Sequence, residues 1–285
     1  MAQREHAGGV QLDARWAGAI AADRQLVAGA GLSMGWRVVA ASATGRAHLD
    51  RNLPCQDAFA STCVGEVLVA AVCDGAGSAS HSDAGARLVA AQVVATLAGQ
   101  PSLQGDPAGL GVEAVRPLVE GAIALAREQL AVAAAAQRIR LVDFACTLVG
   151  VIANAEGGWF FHVGDGVAAC EFRDETQPNA VSLPANGEYA NETWFVTGGN
   201  WREQVRLTRF EGQAQAVVLM SDGAQPFAMN REGTQLFQPF FAPVQRYLRG
   251  VDVAHGNQAL AATLADPRTD HITGDDKTLL IALPD

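Results

Sequence analysis

Apolar residues fall along the chain in two kinds of segment, and these segments predict both strands and helices. Short, almost continuous apolar runs that end at turn residues are typical of buried strands. Helical spacing of the apolar residues predicts helices near 82–97, 112–140, 235–249 and 258–265. The predicted strands are WRVVAAS (36–42), AFAST (58–62), EVLVAAVC (66–73), DFACTLVGVI (143–152), GWFFHV (158–163), VAACEFR (167–173), ETWFVT (192–197), QAVVLM (215–220) and KTLLIAL (277–283).

The order of these segments indicates the fold class and the domain organisation. Strands and helices come in separate blocks, which favours a sandwich of sheets and helices over a βαβ alternation. The first residues lack clear periodicity, and we interpret 1–34 as an arm or extra helix that precedes one domain at 35–285. The polar, turn-rich region at about 173–215 is predicted to be a flap-like excursion from that domain.

Charge and cysteine usage exclude several classes of function. The 285 residues carry a net charge of −10, so the chain lacks the basic stripe that a general nucleic-acid binder needs. Its five cysteines include no CxxC pair and lie in apolar runs, which indicates reduced thiols in a reducing compartment. The sequence has neither a signal peptide nor an apolar run that would span a bilayer. We therefore expect a cytoplasmic protein with no nucleic-acid binding and no membrane insertion.

Acidic residues stand beside five of the predicted strands. Three strand-like runs end in Asp-Gly and acids directly precede two others; the positions are Asp57, Asp74, Asp165, Asp222 and Asp275-Asp276. One Asp-Gly alone is usually a simple turn. Strand ends of a sandwich, however, converge on a common rim, where carboxylates repel one another unless a cation neutralises them. Oxygen ligands without His or Cys favour Mg²⁺ or Mn²⁺.

The glycine after three of these acids is also predicted to have a function. Glycine permits unusual φ angles, and it lets a backbone carbonyl come close to an ion. Two ions held by such carboxylates would suit phosphoester hydrolysis.

Motifs for other chemistries are absent from the sequence. It contains no GxxxxGK[ST] phosphate loop, no HExxH zinc helix and no GxSxG nucleophile elbow. His48 is a candidate for proton transfer or for a structural hydrogen bond. His162 is predicted to be structural, His81 to lie in a surface loop, and Ser221 to cap or turn the chain.

Taken in order, these residues resemble the protein phosphatase 2C family of metal-dependent serine/threonine phosphatases. The resemblance covers residues 36–284 and fits the compact bacterial branch. It is carried by GxxH at Gly45 and His48, by PCQD at 54–57, by the three Asp-Gly pairs and by GEYANETWFVT at 187–197. It implies an α+β fold, a four-layer α-β-β-α sandwich in which helices flank two antiparallel sheets.

The resemblance further implies a role for each acid. Asp74 is expected to bridge two Mn²⁺ or Mg²⁺ ions, and the carbonyl of Gly75 to bind one of them. Asp222 and Asp275 are expected to ligate the other ion. The two remaining acids are Asp57, which would hold the first site through water, and Asp165, which would lie near an additional, weaker metal position. Thr147 would support the core strand.

The implied reaction is the hydrolysis of phosphoserine and phosphothreonine in proteins by a metal-bridging hydroxide. The implied partners are phosphorylated proteins, and a Ser/Thr kinase would oppose the enzyme. Three positions depart from the family pattern: Gln56 replaces a frequent Glu, Asn52 replaces a phosphate-binding Arg of eukaryotic members, and Ala76 replaces their catalytic-acid His.

These departures leave three candidates for catalysis outside the metal ligands. Arg46 and Arg51 could dock the phosphate, because a guanidinium group can bind two phosphoryl oxygens at once. His48 could donate a proton or a hydrogen bond. Two alternative functions stay open at this point. One is a catalytically weakened module that binds phosphoproteins without turnover, and the other is a metal-dependent hydrolase of small phosphoesters.

Overall fold

The structure is a computed structural model that describes residues 35–182 and 193–285. The predicted N-terminal arm, 1–34, lies outside the described residues. Residues 183–192 of the predicted flap lie outside them as well.

The described residues form ten strands and seven α-helices. The strands are β1 Trp36–Ala43, β2 Ala58–Val64, β3 Val67–Cys73, β4 Leu148–Asn154, β5 Gly157–Val163, β6 Val167–Phe172, β7 Ala180–Ser182, β8 Arg206–Glu211, β9 Ala214–Met220 and β10 Lys277–Pro284. The helices are α1 Arg46–Leu49, α2 Ser82–Ala98, α3 Val112–Gln137, α4 Gln225–Ala228, α5 Gln238–Arg249, α6 Val253–Leu264 and α7 Pro267–Asp270.

Within the described residues the strands form two antiparallel five-stranded sheets. The first sheet has the order β1-β10-β9-β6-β7, and the second has the order β2-β3-β4-β5-β8. Helix α2 packs against β2 and β3 and α3 packs against α2, whereas α6 packs against β1 and α5 packs against α6. The layers therefore run from α3 and α2 through the second and first sheets to α6 and α5. This arrangement confirms the predicted four-layer α+β sandwich.

Alternate residues of the central strands pack into two different cores, one on each face of the first sheet. In β10, Leu280 and Ala282 belong to the core between the sheets, and Leu279 and Ile281 belong to the core beneath α5 and α6. Successive side chains of a strand point to opposite faces, and here both faces are covered. This explains why β10 is buried along its whole length and why its sequence is a continuous apolar run.

Helix α3 forms much of the outer layer on the side of the second sheet. Its buried residues include Val115, Val119, Ala122 and Ala126, which recur every three or four positions and form one apolar stripe. The opposite side of the helix carries charged residues. Across the described part of the chain, no helix combines the length and the apolarity needed to cross a bilayer.

The predicted strand at 192–197 is wrong for the residues that the structure describes. Residues 193–197 form an irregular loop. The amide of Val196 donates to the carbonyl of Cys146 at 2.9 Å, and the carbonyl of Val196 accepts from Arg127 of α3. Both backbone groups of this residue are therefore used in isolated contacts, and none is left for a strand ladder.

Other boundaries differ from the pattern for local reasons. Leu141–Phe144 form a 3₁₀ turn, so the predicted strand at 143–152 begins only at Leu148. The pattern also misses β7 and β8, which lie inside the predicted flap. Strand β8 reads RLTRFE and is an edge strand that pairs only with β5. Only Leu207 and Phe210 of its six residues are apolar, so its apolar signal is weak.

Candidate metal centre

Strand pairing brings the acidic strand ends of both sheets to one rim. The first residue of β2 pairs with the last residue of β3, so Asp57 and Asp74 are neighbours in the second sheet. The starts of β6 and β10 both pair with the end of β9 in the first sheet. The segments that carry Asp165, Asp222 and Asp275 are neighbours for that reason. The predicted convergence of the acids on one rim is therefore observed.

Asp74, Asp165 and Asp222 make the tightest acidic cluster found in the described residues. One carboxylate oxygen from each lies within 4.8 Å of the others. Burial raises the pKa of Asp74 well above its usual value, and the charges of Asp57 and Asp222 raise it further. Burial also raises the pKa of Asp222, with the charges of Asp165 and Asp275 adding to the effect. The protein alone therefore disfavours full ionisation of its own cluster.

Asp57 is the buried acid next to this cluster. Its Oδ2 accepts a hydrogen bond from the hydroxyl of Ser221 at 2.7 Å, whereas its buried Oδ1 has no partner among the described residues. Burial raises the pKa of Asp57 to about 7, although the Ser221 hydrogen bond lowers it. The Ser221 hydroxyl also accepts from the amide of Thr278 at 2.9 Å. Ser221 therefore holds an acid across the sheets, a contact that the sequence reasoning did not identify.

Asp275 and Asp276 occupy different environments although they are adjacent. Asp275 is exposed, and its charge raises the pKa of Asp222. Asp276 is buried, and it accepts hydrogen bonds from the amides of Gly45 at 2.7 Å and Gln56 at 2.5 Å. It therefore holds the segment between β1 and β2 in place. In the sequence, Asp276 has no signal beyond being the second acid of a pair.

Asp165 lies in the turn between β5 and β6 and is held by two residues that the sequence reasoning missed. The hydroxyl of Thr193 donates to Asp165 Oδ2 at 2.7 Å. The side-chain amide of Gln225 donates to the carbonyl of Asp165, also at 2.7 Å. Thr193 brings the end of the predicted flap region to the rim.

Space, rather than an unusual φ angle, explains the glycines that follow Asp74 and Asp222. Gly75 and Gly223 do not have positive φ angles, so the expectation of an unusual φ is wrong there. What they supply is space. A Cβ on Gly75 would lie 2.6 Å from the carbonyl oxygen of Gln56, and one on Gly223 would lie 1.9 Å from that of Asp276. Both glycines therefore let neighbouring backbones approach closely at the rim.

The three catalytic candidates lie in or just after α1, in different environments. Arg46 is exposed and forms an ion pair with Asp50 at 2.7 Å, and Arg51 is also exposed. His48 is buried, and its Nδ1 lies 2.9 Å from Asp276 Oδ2. Of the three, only His48 contacts an acid of the rim directly.

The remaining sequence candidates have structural contacts. The hydroxyl of Thr147 accepts from the amide of Asp74 at 3.1 Å, as a supporting residue would. His162 is buried with its Nδ1 3.3 Å from the Ser182 hydroxyl, and burial lowers its pKa to about 4. His81 precedes α2, and its ring contacts Phe144.

The donor set fits hard divalent cations. The acidic side chains offer only oxygen, the donor that Mg²⁺ and Mn²⁺ prefer. Buried Oδ1 atoms of Asp57, Asp165 and Asp222 have no hydrogen-bond partner in the described residues. Within that same part of the chain, no ion pair joins these three acids, Asp74 or Asp275 to a basic side chain. Unpartnered oxygens and uncompensated charge are what a bound cation would satisfy.

Comparison with known proteins identifies the family. The family model described as protein phosphatase 2C matches residues 44–265. The chain belongs to the protein phosphatase 2C family. One relative of this family member is serine/threonine-protein phosphatase 3 of Escherichia coli (strain K12). The two are 31% identical over 261 residues, which cover 88% of this chain and 99% of the relative. The assignment to the protein phosphatases, a class of hydrolases, is confirmed.

Two solved structures show the same fold. Serine/threonine phosphatase Stp1 from Staphylococcus aureus has a TM-score of 0.55 and 13% identity, covering 90% of this chain and 98% of Stp1. RsbX, solved in complex with magnesium, has a TM-score of 0.52 and 12% identity, covering 88% of this chain and 96% of RsbX. At such low identity these likenesses show the fold of this protein phosphatase 2C and nothing more specific.

Proposed function

We propose that this protein phosphatase 2C hydrolyses phosphoserine and phosphothreonine in proteins, and that it uses two Mg²⁺ or Mn²⁺ ions held at the rim. The observation that carries the proposal is the cluster of Asp74, Asp165 and Asp222, whose oxygens lie within 4.8 Å of one another. The name of the Escherichia coli relative, a serine/threonine-protein phosphatase, supports the substrate class. The oxygen-only donor set supports the choice of metal.

The ligand roles that we propose follow the position of each acid. Asp74, which is beside both Asp57 and Asp222, would bridge the two ions, and the Gly75 carbonyl would bind one of them. Asp222 and Asp275 would hold the second ion. Bound there, the ions would lower the pKa of a water and neutralise negative charge on the phosphoryl oxygens.

The two other acids differ in how freely they can bind. Asp57 has one oxygen fixed by Ser221 and the other unpartnered, which suits an outer position reached through water. Asp165 already accepts a hydrogen bond from Thr193, so a cation would have to share or displace that contact. This supports a third, weaker position at Asp165.

Phosphate docking by an arginine near α1 remains part of the proposal. Arg46 is engaged by Asp50, whereas no ion pair of Arg51 occurs in the described residues. We therefore expect Arg51→Ala to raise KM for a phosphopeptide more than Arg46→Ala does. Equal, wild-type KM values in both variants would leave the metals as the only phosphate ligands.

The cellular setting that we propose is the cytoplasm. Cys55, Cys73, Cys146 and Cys170 are free thiols, as expected in a reducing compartment. The substrates would be phosphoproteins made by a Ser/Thr kinase, whose action this enzyme would reverse.

The direct test is phosphate release from a substrate panel with controlled metal content. We expect turnover of phosphothreonine and phosphoserine peptides with Mn²⁺ or Mg²⁺ and none in EDTA, because the ligands are oxygen donors. A nucleoside monophosphate should react more slowly. Full activity after verified metal removal, or a preference for the nucleotide, would contradict the proposal.

Substitutions of the rim acids test the proposed ligand roles, and a substitution away from the rim is the matched control. Asp74→Asn and Asp222→Asn should lose most of kcat, and so should Asp275→Asn. Asp174→Asn is the control because Asp174 follows β6 at the end away from the rim and is exposed. That variant should keep wild-type activity.

A further inference from the structure

His48 and Asp276 form a buried pair beside the metal centre. Their side chains are only 8% and 2% exposed, and His48 Nδ1 lies 2.9 Å from Asp276 Oδ2. This distance is typical of an ion pair, although Nδ1 makes no aligned hydrogen bond within the described residues. Asp276 itself is fixed by the amides of Gly45 and Gln56. The carboxylate therefore occupies a defined position against one nitrogen of the ring.

The other ring nitrogen lies beside the segment that follows β3. A Cβ on Gly77 would lie 3.9 Å from His48 Nε2 and 4.0 Å from Gln56 Oε1. Gly77 is exposed and has no side chain, so nothing from this position covers Nε2. Gly77 is three residues after Asp74 and Gln56 directly precedes Asp57, so Nε2 lies beside the two segments that carry these proposed ligands.

We propose that His48 donates the proton to the departing serine or threonine oxygen, and that Asp276 orients its ring. This rests on the function proposed above. As an oxygen from water bonds to phosphorus, the ester P–O bond breaks and its electron pair goes to the side-chain oxygen. That oxygen takes the proton from His48 Nε2, which gives the free alcohol and inorganic phosphate. The ring regains a proton from solvent.

The reaction needs such a donor because an alkoxide is a poor leaving group. A positioned acid contributes roughly 10²–10⁴-fold to reactions of this kind. A buried carboxylate at Nδ1 fixes which nitrogen faces the substrate, as it does in other acid–base pairs of Asp and His. Of the ion pairs in the described residues, a second His–Asp pair joins His255 and Asp252, and it is exposed on α6. It provides a matched control.

The decisive experiment compares two substrates in His48→Asn. The Asn side chain is polar and carries a donor that can reach Asp276, so the fold should persist. We expect kcat for a phosphothreonine peptide to fall roughly 100-fold, while kcat for para-nitrophenyl phosphate, whose phenolate leaves without protonation, changes little. His255→Asn should match wild type on both. Equal loss on both substrates, no loss on either, or a raised KM alone would overturn the proposal. Absence of turnover in wild type would instead refute the proposed function.

A double-mutant cycle tests the role of Asp276. If Asp276 acts through His48, the loss on the peptide in His48→Asn/Asp276→Asn should equal the loss in His48→Asn alone. Asp276→Asn alone should also affect the peptide more than para-nitrophenyl phosphate. Additive losses, or equal loss on both substrates in Asp276→Asn, would assign Asp276 a structural role only. If Asp276→Asn fails to fold, its role as the orienting residue is rejected in favour of a structural one, and His48→Asn still decides the proton donor.

Discussion

At the scale of single residues, Asp57 is an acid whose burial at the rim destabilises the metal-free fold. The side chain is buried, and one of its oxygens has no partner among the described residues. Burial raises its pKa from the usual 3.8 to about 7. Near neutral pH the metal-free folded state therefore holds a carboxylate that would be better solvated in the unfolded chain.

This residue leads to a prediction about pH. Because the folded pKa lies above the unfolded one, the stabilising contribution of protonated Asp57 is complete below about pH 4 and is lost as the pH rises through about 7. Asp57→Asn keeps the shape without the charge. In EDTA, the variant should be more stable than wild type at about pH 8, and this advantage should shrink as the pH falls towards 4.

The measurement is the free energy of unfolding in urea for both proteins across this pH range. His162 acts in the opposite direction: burial lowers its pKa to about 4, so its stabilising contribution is lost as the pH falls from about 6.5 to about 4. Because both proteins contain His162, its effect cancels in the difference. A difference that does not vary with pH would contradict the assignment to Asp57.

At the scale of elements, α3 holds the loop that reaches the rim. Arg127 donates to the carbonyls of Val196 and, at 3.0 Å, Gly198, and its guanidinium lies 5.4 Å from the ring centre of Trp201. The loop begins at Thr193, which bonds Asp165. The helix thereby helps to position an acid that it does not contact.

Arg127→Ala should loosen this loop. Hydrogen bonds from a charged group to backbone carbonyls are worth about 1.5–3 kcal/mol, so we expect a loss of stability of that order. Amide exchange at Val196 should accelerate, because its bond to Cys146 would no longer be braced. Arg87→Ala on α2 is the control: Arg87 forms an exposed pair with Asp83, and such pairs contribute about 0–1 kcal/mol. Equal losses of stability in the two variants would show that Arg127 does not hold the loop in place.

The segment after β3 gives a second prediction at this scale. A Cβ on Gly75 would lie 2.6 Å from the carbonyl oxygen of Gln56, whereas one on Gly77 would meet nothing closer than 3.9 Å. Gly75→Ala should therefore destabilise the metal-free protein by about 1–3 kcal/mol, and Gly77→Ala should be close to neutral. Chemical denaturation in EDTA measures both, and equal stabilities would show that the backbone at Gly75 can yield.

At the scale of the whole domain, the rim joins the two sheets. Asp57 and Asp74 come from the second sheet, Asp222 and Asp275 from the first, and Asp165 from the turn that links them. A cation bound by acids from both sheets binds only when the sandwich is assembled. Its binding free energy is therefore added to the stability of the fold.

We accordingly expect Mn²⁺ or Mg²⁺ to raise the Tm. At a free concentration about 100 times the Kd, the gain is about 2.7 kcal/mol. Asp222→Asn should reduce this gain, and Asp174→Asn should keep it; thermal unfolding with and without EDTA measures both. A metal that leaves the Tm of wild type unchanged would argue against a site that spans the sheets.

Much of the fold and of the acidic set was predictable because the signals are local. Strands covered on both faces appear as continuous apolar runs, as in β10. Acids at the ends of such runs lie at a sheet rim. The edge strand β8 and the loop at 193–197 were mispredicted, because their structure depends on pairing with β5 and on contacts from α3.

The sequence by itself determined which acids lie at strand ends, and it indicated the family. Only the tertiary structure decided which of them are buried, partnered or open. Asp275 and Asp276 are adjacent in sequence, yet one is exposed and the other is buried against the segment at 45–56. Ser221 bonds Asp57 across 164 positions of sequence. Spacing along a strand fixes the face on which a side chain lies, but the register between strands and the approach of the two sheets decide what that side chain contacts.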